Sequence, residues 1–403
     1  MKAKKLGLAL FLLALWLYEA LTVANLARVN MVDALDKFAN FFRSTTFTIA
    51  FTLLIVLLVA RLSDRAEQNA SPRGFAIAWF SAFLFFLVAC AALVLHVNPH
   101  ARFSRDVYPP ITPNARGVKT DDYAQLPSHP DIVVLGSSRA FTISPDYIQK
   151  VTGYETFNMA VEGARAGDYS LQLNYLLQSG DAPRLLLIEV TFQTFTGDVW
   201  MAPLQPISLI PYMPRDIAAT TAESVLQDTF NLQTISDSLF IVRFLSTDKQ
   251  SLAWEFDERG MGIYRPVVDE TMPAQEDLAR WSGSLTCNRL ASPARAEFEN
   301  MIKMAGENGI EIVLYQSPVR LALYRYAVRK TPAEVADCRE TLNRYFSSLT
   351  KKNDNVSFVN LSDYERVSNM DGAGFYDAVH ARPNAAELIV DALAPTIQSA
   401  LGK

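Results

Sequence analysis

Five short strand-like runs, two of them almost continuously apolar, constrain most of what this chain can fold into. They are Asp131–Gly136 (DIVVLG), Tyr154–Ala160 (YETFNMA), Arg184–Val190 (RLLLIEV), Glu311–Gln316 (EIVLYQ) and Val356–Leu361 (VSFVNL). A strand wet on one face alternates apolar and polar side chains. DIVVLG and RLLLIEV do not, so they read as strands buried on both faces. Helical signals lie between and after them. Ser144 and Pro145 open a short helix by capping and first-turn logic. Gly167–Ser179 and Pro293–Asn308 read as helices, and a last one runs from about Asn384 to Leu401. Strands alternating with helices predict an α/β fold with a parallel sheet covered on both faces. Ligands of such sheets bind beyond the carboxyl ends of the strands. Gly136-Ser137-Ser138, Gln316-Ser317-Pro318 and the segment after Leu361 stand at such ends.

The first 97 residues have a different character. Leu6–Ala27 is apolar except for Glu19, and Ser44–Ala60 and Gly74–Val97 contain no Asp, Glu, Lys or Arg. A bilayer core needs about 20 apolar residues in a helix. Residues 1–97 therefore read as a membrane region of about three helices, the middle one at the short limit. Lys2, Lys4 and Lys5 place the N-terminus in the cytoplasm, and three spans put everything after Val97 outside. The expected location is a bacterial inner membrane, multi-pass, with the later domain facing the periplasm or the outside. A cleaved signal peptide over residues 1–25 is the alternative, disfavoured by the length of the apolar run. Glu19 is read as reaching water near the outer interface; the sharper reading has it facing a partner helix.

Residues 98–130 form a connector in which Pro109, Pro110, Pro113 and Pro127 discourage regular structure. The outer domain spans 131–403. About 196–280 break its strand–helix rhythm and read as an insertion over the face where ligands bind. A net charge of −5 with no basic stripe argues against nucleic acid. Three cysteines and four histidines include no CxxC and no cluster at zinc spacing, so neither metal nor cofactor is expected. Cys287 and Cys338 would share an oxidising compartment; a disulfide and two buried thiols are both open readings.

Near the C-terminus, FYDAVHARPNAAELIV places Asp377 three residues before His380, the only histidine after His129. Nucleophilic catalysis by serine needs a base within hydrogen-bond reach and a group that fixes the imidazole. A D-x-x-H loop can supply both. Each element has a bland reading: a Gly-Ser-Ser turn is commonly structural, His380 can cap or pack, and Gly163 can serve a turn. Arg139 reads first as a surface or ion-pair residue and second as an anion contact. Glu162 and Arg165 read equally as solvated helix-entry charges.

Together, a Gly-x-Ser turn after the first strand, a glycine after the second and D-x-x-H before the last helix resemble the SGNH (GDSL-type) hydrolase superfamily. The resemblance covers most of 131–401 and implies a flavodoxin-like parallel sheet. It assigns the nucleophile to Ser138, with Ser137 in reserve, the base to His380 and the orienting acid to Asp377. The oxyanion hole would use the Ser138 backbone N–H and Gly163, from NMAVEGARAG. The family's asparagine after the third strand is absent from IEVTFQTF; Thr191 or Gln193 would replace it, or the hole has two donors. The Gly-Ser-Ser variant resembles a membrane-anchored subgroup that includes the D-alanyl transfer protein DltD and, more loosely, alginate acetylation proteins. That implies a serine O-acyltransferase acting on an extracytoplasmic polysaccharide beside a membrane-embedded acyltransferase of the MBOAT type. An esterase with water as acceptor and an inactive glycan-binding scaffold are the alternatives.

Overall fold

The computed structural model describes residues 72–103, 108, 114–180, 182–201, 204–245, 254–264, 275–287 and 289–402. The chain forms two compact units, 1–91 and 92–403. Helix α1 (Pro72–Val97) contains the one stretch among the described residues long and apolar enough to cross a membrane. It is Trp79–Val97, 19 residues with a mean hydropathy of 2.5. Its large apolar side chains face outward, Phe85 being 75 % and Trp79 55 % exposed. The other two expected spans, Leu6–Ala27 with Glu19 and Ser44–Ala60, lie outside the described residues.

The second unit is an α/β fold. In chain order it runs α2 (Ala115–Ala124), β1 (Ile132–Leu135), α3 (Pro145–Thr152), β2 (Thr156–Asn158), α4 (Ala166–Gln178) and β3 (Leu185–Glu189). Next come α5 (Arg215–Thr229), α6 (Leu232–Phe240), β4 (Trp254–Phe256), β5 (Gly262–Tyr264), α7 (Gln275–Ser282) and α8 (Ser292–Glu307). The chain ends with β6 (Glu311–Gln316), α9 (Leu321–Lys330), α10 (Pro332–Lys352), β7 (Val356–Asn360), α11 (Glu365–Ser368) and α12 (Pro383–Leu401).

The five strand-like runs pair in parallel in the order β2-β1-β3-β6-β7. Numbered by their place in the chain this is 2-1-3-4-5, the flavodoxin-like order. The three central strands are buried along nearly their whole length, as continuous apolar runs require. Right-handed crossovers send the chain left once and then right, so the helices divide between the faces. α3 packs with α12, and α4 packs with α8. The order reverses between β1 and β3, which opens a crevice at their carboxyl ends.

Two local features differ from the sequence reading. The connector contains α2, because its prolines flank the helix and do not interrupt it. Buried Arg116 holds Asp168 through two bonds (2.8 and 3.1 Å) and Glu162 through one of 2.9 Å. Glu162 and Arg165 are therefore not solvated charges; Arg165 donates through Nη1 to the Gln193 carbonyl and to Thr196. Cys287 and Cys338 form a disulfide with Cα atoms 4.9 Å apart, tying the segment after α7 to α10.

The β4–β5 hairpin, from the region that breaks the rhythm, docks on the end of β2. The Asn158 N–H donates to the Arg259 carbonyl (2.9 Å), and the Gly262 N–H to that of Phe141 (2.7 Å). Gly260 turns the hairpin with φ +81°, and a Cβ there would stand 2.1 Å from the Asn158 carbonyl oxygen. Only glycine fits both demands.

Candidate active site

β1 delivers its chain end into the crevice. After Leu135 the backbone turns at Gly136, where a Cβ would lie 2.8 Å from the Cβ atoms of both Ala140 and Glu189. Absence of that Cβ lets the turn seat on β3. Ser137 caps the 3-10 turn Ser138–Ala140. Its hydroxyl and N–H both donate to Glu189 Oε2, at 2.9 and 3.1 Å. Ser137 is thereby committed to structure.

Ser138 faces the other way. Its Oγ lies 2.8 Å from His380 Nε2, and His380 Nδ1 lies 2.6 Å from Asp377 Oδ2. With the proton on Nδ1, the serine hydroxyl donates to Nε2 and Nδ1–H donates to the carboxylate. Asp377 Oδ1 accepts from the N–H groups of Val379 and His380, each at 2.8 Å. Burial opposes the Asp377 charge, but the His380 hydrogen bond, the imidazole's charge and these two N–H groups outweigh it. The carboxyl is held below its usual range. The loop is pinned to the serine turn where Thr142 Oγ1 donates to the Ala381 carbonyl (2.9 Å).

The imidazole is flanked edge-on by Trp281, at 5.5 Å between ring centroids, and Trp254, at 6.0 Å. Trp254 also meets Tyr264 and Tyr376. The His380 side chain is only 12 % exposed.

The proposed oxyanion donors sit where strand ends place them. Gly163 lies in the turn between β2 and α4 with φ +57° and is solvent-exposed. Among the described residues, neither its N–H nor that of Ser138 has a hydrogen-bond acceptor. Thr191 is buried just after β3. Gln193 is partly buried, and its carbonyl serves Arg165 and Thr196. Arg139 is not a surface residue: it is 6 % exposed and makes no side-chain ion pair or hydrogen bond among the described residues.

Sequence reasoning missed three supports. Glu189 is buried at the end of β3, where burial pushes its carboxyl up while Arg139 and the Ser137 donors pull it down. Its signal was a charged residue closing an apolar run. Lys119, fully buried, lies 4.7 and 4.6 Å from the Phe141 and Phe256 ring centroids and 3.2 Å from Asn158 Oδ1. Burial drives its ammonium pKa well down. Asn158 Nδ2 in turn donates to the Ala140 and Ile143 carbonyls (2.8 and 2.9 Å), bracing the chain just after Ser138. No local signal marks Lys119, because its partners come from three separate segments. Trp254 and Trp281 are legible as aromatics but not as neighbours of His380.

No family model matches the chain, and no curated protein matches it. Among solved structures, it is similar to a crystal structure from Bacteroides fragilis NCTC 9343 described as a "putative acylhydrolase". The identity is 15 % and the TM-score 0.31, over 70 % of this chain and 95 % of that one. A likeness that low carries no inference.

Proposed function

We propose that the chain is an SGNH-type serine enzyme that moves a small acyl group, acetyl or similar, onto a hydroxyl of a cell-envelope polysaccharide. The observation that carries this reading is the relay Ser138 Oγ–His380 Nε2 (2.8 Å) and His380 Nδ1–Asp377 Oδ2 (2.6 Å) at the mouth of the β1/β3 crevice. Ser138 Oγ attacks the acyl carbonyl as His380 takes its proton. The carbonyl oxygen becomes an oxyanion facing the free N–H groups of Ser138 and Gly163. Collapse expels the donor's leaving group, which takes the proton from His380. The acceptor hydroxyl then attacks the acyl-serine, giving its proton to His380, and Ser138 is regenerated. The two tryptophans beside His380 favour a sugar over bulk water by narrowing water's access.

The setting follows from three supports. Trp79–Val97 is apolar enough for a span, Lys2, Lys4 and Lys5 favour a cytoplasmic N-terminus, and the Cys287–Cys338 disulfide suits an oxidising compartment. A nucleophile outside the membrane lacks cytosolic thioester donors, so a membrane-embedded acyltransferase of the MBOAT type would deliver the acyl group.

The test is labelling of the full-length protein in detergent by a fluorophosphonate, with hydrolysis of p-nitrophenyl acetate in the absence and presence of sugar acceptors. Wild type should label and acetylate the acceptor, and Ser138→Ala should do neither. Labelling with hydrolysis alone would make the protein an esterase. No labelling would leave a scaffold. Replacing residues 1–97 with an unrelated single-span anchor tests the partner: unchanged glycan acylation in cells would remove it.

A further inference from the structure

Helix α1 does not end in a loose tether. Asn98, at φ +50°, turns the chain back, and its Oδ1 accepts from the Arg102 and Phe103 N–H groups at 2.7 and 3.1 Å. Val97 packs on Ile241, just past the end of α6, and His100 Nε2 lies 3.1 Å from Asp237 Oδ2 of α6. Arg102 Nη1 donates to Asp228 of α5 at 2.5 Å, and its Nε donates to the Gln205 carbonyl at 3.0 Å. All of these residues belong to the second unit. The corner where α5 meets α6 is thus tied to the residues that end α1. Even a fully extended chain would carry Arg102 no more than about 18 Å from Val97, and the Asn98 turn shortens that reach.

The same corner turns apolar side chains to solvent. Leu226 is 61 % exposed, and Phe230, four residues on, is 44 % exposed. Leu232, at the start of α6, is 44 % exposed. Ile207, 46 % exposed, donates its N–H to the Arg102 carbonyl, and the turn it opens packs on α5. Singly such residues are ordinary, but grouped they mark an interaction surface. Between Ser224 and Ser236 the one ionisable side chain is Asp228, and Arg102 neutralises it.

What covers this face follows from where it is. Trp79–Val97 is apolar enough to cross a bilayer, and the corner is bonded to the first residues beyond it. Headgroups begin at that depth. We propose that the α5–α6 corner is a second membrane contact, with Ile207, Leu226, Phe230 and Leu232 entering the boundary between headgroups and acyl chains. An apolar helical face of Leu and Phe settles about 5–10 Å into that boundary, and the Arg102–Asp228 pair brings no net charge with it. The segment 196–280 then has two roles: its hairpin docks on β2, and its helices hold the domain to the bilayer. A domain held at two places has fewer orientations open to it, which keeps the Ser138 crevice within reach of an acyl group delivered from the membrane. This contact rests on the proposed span Trp79–Val97, and lipid quenching reads the two separately.

The experiment uses full-length protein carrying Cys90→Ala and one added cysteine, labelled with the fluorophore NBD and reconstituted into vesicles of phosphatidylcholine and phosphatidylglycerol. Leu226→Cys and Phe230→Cys report on the corner, Val88→Cys on the span, and Arg344→Cys, 70 % exposed on α10, is the control. Nitroxide lipids with the spin label near the headgroup or near the chain end are the quenchers. The corner labels should emit to the blue of the control, and the shallow nitroxide should quench them at least about twofold more than the deep one, as insertion by about 5–10 Å requires. The deep nitroxide should quench Val88→Cys, and neither should quench Arg344→Cys. Quenching of Val88→Cys with none at the corner would overturn the second contact and leave the span. Quenching at the corner with none of Val88→Cys would sustain the contact and remove the span. Absence of quenching at all positions would remove both. Blue-shifted corner emission without lipid quenching would overturn the contact in favour of protein cover, from a second copy or from residues 1–71 of this chain. Two corner positions cover the case in which one variant does not fold.

Discussion

Asp377→Asn should disable the site by fixing the wrong histidine tautomer while leaving the loop in place. Asp377 Oδ1 accepts from two backbone N–H groups at 2.8 Å, and Oδ2 receives His380 Nδ1–H at 2.6 Å. An asparagine must choose which end faces which. With its oxygen at the Oδ1 position it keeps both backbone bonds and points its NH2 at His380. Reversed, it keeps one bond and sets an NH2 against two N–H donors. The difference is at least one hydrogen bond, about 0.5–1.5 kcal/mol, plus the cost of stranding a donor, about 1–3 kcal/mol. The first orientation wins. His380 Nδ1 then has to accept, the ring proton moves to Nε2, and Ser138 faces a donor instead of a base. Wrong-tautomer substitution of this kind costs about 10⁴ in rate, or about 5.4 kcal/mol of transition-state stabilisation. The assay is p-nitrophenyl acetate hydrolysis by the full-length protein, with ¹⁵N shifts of the His380 ring to read the tautomer. If Asp377→Asn retained more than about a tenth of the rate, or kept its proton on Nδ1, the reasoning would be refuted.

Replacing both Cys287 and Cys338 with serine should destabilise the fold. The 51-residue separation gives about 4 kcal/mol by chain entropy, read from urea midpoints in one detergent, and a change below about 1 kcal/mol would contradict that account. Gly136→Ala places a Cβ 2.8 Å from two others, and overpacking of that kind costs about 1–3 kcal/mol; an unchanged melting temperature would show that the turn relaxes freely. Because burial raises the Glu189 pKa in the folded state, its favourable contribution is fully present below the ordinary glutamate value of about 4.3 and is lost as pH rises through the raised value. Relative to Glu189→Gln, wild type should therefore lose stability from about pH 4.3 upward, and a pH-independent difference between the two would argue against a buried, titrating Glu189. Ser137→Ala removes one bond to Glu189 but leaves the relay intact, so fluorophosphonate labelling should persist at Ser138; loss of labelling would move the nucleophile by one residue.

The sequence by itself determined the sheet. A run such as Leu185–Ile188 leaves no polar face to turn to water, so it has to be an inner strand, and five strand-like runs separated by helix signals leave few topologies open. It also named Ser138, Asp377 and His380, because the nucleophile turn and the D-x-x-H loop are local patterns. Pairings between distant segments were not legible. Arg139 and a surface arginine look alike in one dimension; burial near Glu189, from a separate segment, makes Arg139 a different group. Lys119 became a buried brace only when β2, the serine turn and the β4–β5 hairpin closed around it. The connector gained a helix because Arg116 found Asp168 and Glu162, 52 and 46 residues away. Local periodicity sets which elements form. The contacts that tune a site join residues far apart in the chain, and those only the tertiary structure decided.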